Sequence, residues 1–314
     1  MAHQVLITGA AGFLGSHLSD ALLAQGHTVM GVDSLVTGSR ENVAHLKGEG
    51  RFSLVEADLV NPLPKEVTEK KWDRIYHMAS PASPVGYVKH QVTTLKVNSL
   101  ATMNLLELAE RDGARIFMAS TSECYGDPLE HPQTEGYWGH VNPVGMRSMY
   151  DEAKRFMEAA TMGYRRERGV DTRIVRIFNT YGPRLAVNDG RVVCAFITQA
   201  LRGEPLTVQG EGNQTRSLCY VEDEIRGFMA LMESDYYMPM NVGNPDEVTM
   251  LELAKEIREL CGSKSEIIHT PLPPDDPKQR CPDITLARKV LGWEPRVARK
   301  EGLARTVAFY RGRV

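Results

Sequence analysis

Residues 5–15, VLITGAAGFLG, decide the fold. An apolar run, VLIT (5–8), enters Gly9-Ala10-Ala11-Gly12-Phe13-Leu14-Gly15, and a helical pattern, LGSHLSDALLAQG, follows at once. Glycines at such a junction let the backbone turn tightly and approach a pyrophosphate. The opening of the helix offers free N–H groups and the positive end of its dipole. Three glycines alone are a weak signal, but Asp33 ends the next apolar run, TVMGVD (28–33), eighteen residues after Gly15. A carboxylate there can take both ribose hydroxyls of an adenosine and would repel a 2′-phosphate, which favours NAD over NADP. Arg40, close in sequence, weakens that preference. Asp58, ending the third run, FSLVEADL (52–59), is placed to meet an adenine, with a strand-end cap as the plain alternative. Phe13, Leu14, Ser34, Thr37, Gly38, Leu59, Met78, Ser80 and Ala119 are the further cofactor-contact candidates.

Outward from this motif the same alternation repeats. RIYHMAS (74–80), RIFMAS (115–120) and TRIVRIFN (172–179) read as strands, and VNSLATMNLLELAERDG and MYDEAKRFMEAATMGYRRERG as helices that end in glycine. Runs apolar on both faces and separated by helices predict a parallel sheet covered on both sides, a doubly wound α/β (Rossmann) unit. After about residue 180 the loops lengthen and Gly and Pro increase. Helices are expected at VEDEIRGFMALMES, TMLELAKEIRELCG, DITLARKVLG and EGLARTVAFYR, with a short strand at MNVGN and a proline-rich loop at HTPLPPDDPKQRCPDI. The expected division is a dinucleotide-binding domain over 1–178 with a return segment at about 221–245. A smaller mixed α/β substrate domain takes 179–220 and 246–314.

Bulk properties narrow the function. The chain has 314 residues, 42% hydrophobic and 25% charged, with net charge −3 and no long basic run, which argues against a nucleic-acid partner. Five cysteines at scattered spacings, without a CxxC, suggest neither a zinc site nor a disulfide framework, and no metal is expected. Reduced thiols suggest the cytoplasm. The sequence enters its first strand without a charged leader, and no apolar stretch could span a bilayer, so no membrane partner is expected. The sequon Asn213-Gln214-Thr215 reads as chance. Trp72, Trp138 and Trp293 read as packing residues, and His77 as a core histidine.

Tyr150-Asp151-Glu152-Ala153-Lys154 puts a phenol and an ammonium on one helix face. The lysine should favour phenolate and make the tyrosine a usable base. Upstream, MASTSECYG (118–126) carries a strand into a polar turn, Thr121-Ser122-Glu123.

Gly9-x-x-Gly12-x-x-Gly15, Asp33, the hydroxyl-bearing strand end and Tyr150-x-x-x-Lys154 together resemble the extended short-chain dehydrogenase/reductases. Their members mostly modify nucleotide sugars. RIFNTYGPR (176–184) and QGEGNQTRSLCYVED (209–223) extend the resemblance over nearly the whole chain. MASPASP (78–84), STSECYGDPLEHPQTEGYWGHVNP (120–143), NDGRVV (188–193) and DDPKQRCPDI (275–284) resemble more closely the UDP-glucuronic acid decarboxylase family. The resemblance implies oxidation at the sugar C4, loss of carbon dioxide from the resulting β-keto acid, and return of hydride to C4. Tyr150 would take the 4-hydroxyl proton, with NAD as a bound catalyst and UDP-glucuronate and UDP-xylose as substrate and product. In related 4,6-dehydratases the turn resembles Thr-Asp-Glu, whose aspartic acid protonates a leaving hydroxyl. A decarboxylase has no such need, and Ser122 stands in its place. Thr121 would bond near the 4-oxygen, Ser122 the carboxylate or a water, and Glu123 would act as acid/base with a pKa raised by the substrate's charge. The plain alternative is that Thr121 and Ser122 cap a turn and Glu123 is solvated. Asn179 and Arg216 would meet the diphosphate, Arg191 the nucleotide or cofactor edge, and Arg280 the sugar carboxylate. Pro81 and Ser83 would lie with Ser80 between cofactor and sugar, and Tyr220 near the nucleotide. A homodimer through helices near 97–111 and 149–167 is also implied. Cys124 and Val36 depart from the family, which often has an aliphatic residue and Phe there. A UDP-sugar 4-epimerase, a nucleotide-sugar 4,6-dehydratase and a non-catalytic NAD-binding regulator remain the alternatives.

Overall fold

The computed structural model describes residues 1–271 and 279–314. Six strands, β1 (Gln4–Thr8), β2 (Thr28–Asp33), β3 (Phe52–Glu56), β4 (Arg74–His77), β5 (Arg115–Thr121) and β6 (Thr172–Ile177), join the strand Met240–Val242 in one sheet. Its order is Met240–Val242, β6, β5, β4, β1, β2, β3, and every pairing is parallel. The order reverses between β1 and β4. There the flanking loops diverge and leave a crevice at the strand C-terminal ends.

Strand periodicity explains why both faces are covered. Val5 and Ile7 point into one core with Val29, Phe117 and Val175, while Leu6 points into the other with Met30, Ile75, Ile116 and Ile174. Helices Phe13–Ala24 and Val221–Glu233 close the first face through Leu18, Leu22, Phe228 and Leu231. The helices Thr102–Asp112 and Ser148–Arg168 close the second through Leu105, Leu106, Ala109 and Met157. Both of the latter stop at a left-handed glycine, Gly113 and Gly169, where a side chain would strain the backbone. The first of them reaches back to Gln91, interrupted by a π turn at Val97–Ala101.

The remaining elements form a smaller mixed layer. Leu206–Gln209 pairs in parallel with Ile267–Thr270, and Thr215–Ser217 antiparallel with Glu247–Thr249. The helix Met250–Cys261 starts at a reciprocal cap, Thr249 with Glu252, and packs on the helix Val192–Arg202. Of the proline-rich loop, residues 272–278 lie outside the described residues, so the Asp275–Lys278 part of the family-like segment is not placed. Trp72 and Trp293 are buried as expected. Trp138 is not: it is 87% exposed, because its loop lies on the surface and its carbonyl, not its ring, is held, by Arg155.

Candidate active site

A cleft of about 940 Å3 runs along the C-terminal ends of β1 to β6 and under the smaller layer. Its cofactor end is shaped by missing side chains. A Cβ on Gly15 would stand 2.1 Å from the Gly9 carbonyl oxygen, and one on Gly9, at φ +72°, would stand 2.8 Å from the Ala79 backbone. Phe13 opens the helix and Leu14 follows it, both on the cleft wall. Asp33 is buried, and its carboxylate accepts the N–H groups of Ala11 (2.9 Å) and Leu35 (2.8 Å). Burial raises its pKa, and those amides work against the rise. A Cβ on Gly38 would come within 2.9 Å of both Asp33 oxygens, so glycine there keeps the approach to the carboxylate open. Ser34, Thr37, Leu59, Met78, Ser80 and Ala119 line the same wall. Asp58 does two things: it lines the cleft, and it caps its strand end by accepting the Val60 N–H at 3.0 Å. Arg40 does not turn toward Asp33. Glu56 holds its guanidinium at 2.6 and 2.5 Å.

Tyr150 and Lys154 are buried on the cleft wall. Thr121 is hydrogen-bonded to Tyr150, and its hydroxyl also accepts the Glu123 N–H at 3.2 Å. Lys154 Nζ lies 5.8 Å from the Tyr150 ring centroid and donates to the Ala119 carbonyl at 2.7 Å. The expected lowering of the phenol is not met. Burial dominates and pushes Tyr150 up, against the opposing effects of Thr121 and Arg191, while burial also lowers Lys154 to about 8. Tyr87 stacks on Tyr150 at 4.8 Å and 10°. Asn98, in the π turn, donates to Ser80 Oγ at 2.9 Å and so anchors the wall facing Tyr150.

The Thr-Ser-Glu turn resolves in two parts. Thr121 does cap the turn Ser122–Tyr125, as the plain reading held. Glu123 is not solvated. Arg280 Nη1 donates to its Oε1, and Arg147 Nη2 donates to its Oε2 at 2.6 Å. These two guanidiniums set its pKa. Burial pushes the carboxyl up, but the guanidiniums of Arg280 and Arg147 outweigh it and hold the value near about 2. Next to Tyr150, Asp151 goes the other way: burial first, and the Glu123 charge second, push it up to about 7. Arg280 is itself buried, with Nη2 on the Gly126 carbonyl at 3.2 Å. Ser122 is buried on the cleft wall beside Glu123.

Pro81, Ser83, Asn179, Arg191, Arg216 and Arg280 all line the cleft. Ser83 also caps the helix Pro84–Lys89. Arg191 lies on the cleft wall, 6.0 Å from the Phe13 ring centroid, and is paired with Asp189. Tyr220 is a correction. It is not on the cleft wall but packs edge-on against Tyr181 at 5.6 Å, with the Arg305 guanidinium 5.7 Å from its ring centroid. It starts the helix Val221–Glu233, and that direction carries its ring toward the core. His77 is a core residue bonded to Thr8 at 2.8 Å and held neutral by burial, with a pKa of about 3. His131, Glu247 and Cys281 bring potential ligand atoms within 4.8 Å of one another, but Glu247 is already engaged by His131 (2.9 Å) and Thr215 (2.6 Å).

Arg147 and Asn98 were not legible as site residues. Arg147 carries a weak signal, standing one helical turn before Tyr150. Asn98 carries none, since a π turn has no sequence period of its own.

The family model described as GDP-mannose 4,6 dehydratase matches residues 6–306. The chain is 52% identical over 311 residues to UDP-glucuronic acid decarboxylase 2 of Arabidopsis thaliana, covering 99% of this chain and 69% of that one. It is 54% identical over 301 residues to UDP-glucuronic acid decarboxylase 6 of the same plant, covering 96% and 86%. The chain belongs to the UDP-glucuronic acid decarboxylase family. Among solved structures it is similar to the UDP-glucuronic acid 4-epimerase from Bacillus cereus in complex with UDP-glucuronic acid and NAD. The TM-score is 0.88 and the identity 27%, with 98% of this chain and 99% of that one covered. The fold is thus shared with an epimerase, so the fold by itself does not set the chemistry. No helix among the described residues is long and apolar enough to cross a membrane.

Proposed function

We propose that the protein is an NAD-dependent carboxy-lyase that converts UDP-glucuronate to UDP-xylose through a UDP-4-keto intermediate. The observation that carries this is the buried Glu123, gripped by Arg280 and Arg147 in the turn where a dehydratase needs a second acid. The glycine cradle and the open approach to Asp33 fit a dinucleotide with a free ribose 2′-hydroxyl. NAD, when held by the Gly9–Gly15 cradle and Asp33, would supply the hydride acceptor and donor. Tyr150 takes the 4-hydroxyl proton, with Thr121 orienting the oxygen and Arg191 favouring the phenolate against burial. The 4-keto group receives the electrons released as the C5–carboxylate bond breaks, giving carbon dioxide and an enolate. A proton drawn from water then reaches C5 on the Glu123–Arg280 side, since Glu123 is itself held ionised by its two arginines. Ser122 leaves room beside Glu123 for the substrate's own carboxylate, where an aspartate would add a like charge. Asn179 and Arg216 hold the diphosphate.

The sheet unit, 1–178 with its return at about 221–245, serves the cofactor in this reading. The segments 179–220 and 246–314 serve the nucleotide sugar. A homodimer is part of the proposal, supported by Val92, Leu95, Leu100, Met103 and Phe156, all exposed on the helices that cover the sheet's second face; a gel-filtration mass of one chain would count against it. Five unpaired, buried cysteines support a reducing, cytoplasmic setting.

The test is to incubate the purified protein with UDP-glucuronate and NAD and identify the sugar nucleotide by mass and proton spectra. UDP-xylose is expected. Unchanged UDP-glucuronate, with UDP-glucose or UDP-galactose reacting instead, would overturn the reading.

A further inference from the structure

Arg280 is held in place by a residue outside the cleft lining. Gln133 is fully buried and is not on the cleft wall. Its backbone N–H donates to the Cys281 carbonyl at 2.9 Å, and its side-chain Oε1 accepts the Cys281 N–H at 2.9 Å. Its own carbonyl accepts the Asp283 N–H at 2.9 Å. One side chain and one peptide thus bracket the residue next to Arg280 on both of its backbone groups. Ser217 adds a bond to the Arg280 carbonyl at 2.9 Å.

The clamp continues inward. Asn241 Nδ2 donates to the Gln133 carbonyl at 3.0 Å, and Asn241 Oδ1 accepts the Tyr125 hydroxyl at 2.7 Å. Tyr125 ends the turn that carries Glu123 and takes a bond from Arg176 at 3.0 Å. Glu158, one turn beyond Lys154 on the same helix, holds Arg176 at 3.0 and 2.8 Å and accepts Ser120 Oγ at 2.5 Å. A continuous polar chain therefore joins the helix of Tyr150 to the Arg280–Cys281 peptide and includes Tyr125, at the end of the turn that carries Glu123. Partial loss of such a chain is costly, because each remaining member is left unpaired.

We propose that Gln133 is a positioning residue that fixes Arg280 against Glu123 and thereby serves the carbon dioxide-releasing and protonating half of the cycle, not the hydride half. This rests on the decarboxylase reading above. A displacement of about 1 Å at a reacting group can cost about 100-fold in rate, so the clamp need fail only slightly to be seen.

The experiment compares wild type, Gln133→Met and Gln133→Glu in single turnovers with UDP-glucuronate, following NADH absorbance and carbon dioxide release separately. In Gln133→Met the first NADH should appear within about 2-fold of the wild-type rate, while carbon dioxide release falls by about 10- to 100-fold and NADH accumulates. Gln133 Nε2 also donates to the Glu130 carbonyl at 2.7 Å, so Gln133→Glu keeps both bonds only in its neutral form and should restore the loss at low pH and lose that rescue as the pH rises. In an Arg280→Ala background, Gln133→Met should add nothing further, because it acts through Arg280. Undiminished carbon dioxide release in Gln133→Met would overturn the proposal. So would an equal fall in both steps that persists in the Arg280→Ala background, which marks structural support only. Failure of wild type to act on UDP-glucuronate would instead overturn the functional reading.

Discussion

At the two ends of one cleft, different parts of the chain do the work. Around Gly9–Gly15 the working surface is backbone: three absent side chains, a helix start and one carboxylate anchored by two amides. Around Glu123 it is side chains brought from distant places, Arg147 from before the tyrosine helix and Arg280 from beyond residue 278. The first end can be built by local sequence and is shared with neighbouring activities. The second depends on tertiary packing, and in the proposed reading it handles the substrate's carboxylate.

The two ends should therefore fail differently. Tyr150→Phe lies at their junction and should lower kcat by about 10^3- to 10^4-fold with NAD still retained, measured by cofactor released on denaturation; retained turnover would move the base elsewhere. Glu123→Gln should lower turnover by about 10^2- to 10^3-fold, also with NAD retained, because only the carboxylate-handling end is damaged. Loss of NAD in that variant would show that the ends are not separable.

Asp151 offers a stability test at the same end. Its folded pKa is raised to about 7 from an ordinary 3.8, so the stability linked to its neutral form is present below about pH 4 and lost as pH rises through 7. Asp151→Asn should match wild type at pH 4 and melt a few degrees higher at pH 8. Glu123, lowered to about 2, has the opposite sign: its contribution stands above the ordinary carboxylate range and is lost only as pH falls toward 2. An Asp151→Asn variant less stable than wild type at pH 8 would mean that Asp151 is an anion holding Arg147. The smallest effect is at the cofactor end. Glu56→Gln weakens the hold on Arg40 and should improve the use of NADP relative to NAD by a few-fold, read as a ratio of activities supported by each cofactor.

Much of this was legible because it is local. Strand–glycine–helix at 5–24, period-two burial in Val5, Leu6 and Ile7, and the one-turn spacing of Tyr150 and Lys154 are fixed by neighbours in sequence. The misplaced residues are those whose surroundings are set by tertiary contact. Glu123 could be read as solvated, but two arginines fold onto it. Tyr150 was expected to be lowered, but its burial, which no spacing reveals, prevails. Tyr220 looked like a nucleotide contact and is a core ring; Trp138 looked like a core ring and is exposed.

The central claim is that the Glu123–Arg280–Arg147 cluster turns a C4 oxidation into decarboxylation. It is tested most directly by running the reaction with UDP-glucuronate and NAD in deuterium oxide and assigning the product by proton spectra. The account predicts UDP-xylose with one deuterium at C5, one carbon dioxide per product and no net NADH. UDP-galacturonate, with its carboxylate intact and no deuterium at C5, would contradict it and place the chain's chemistry with the 4-epimerases.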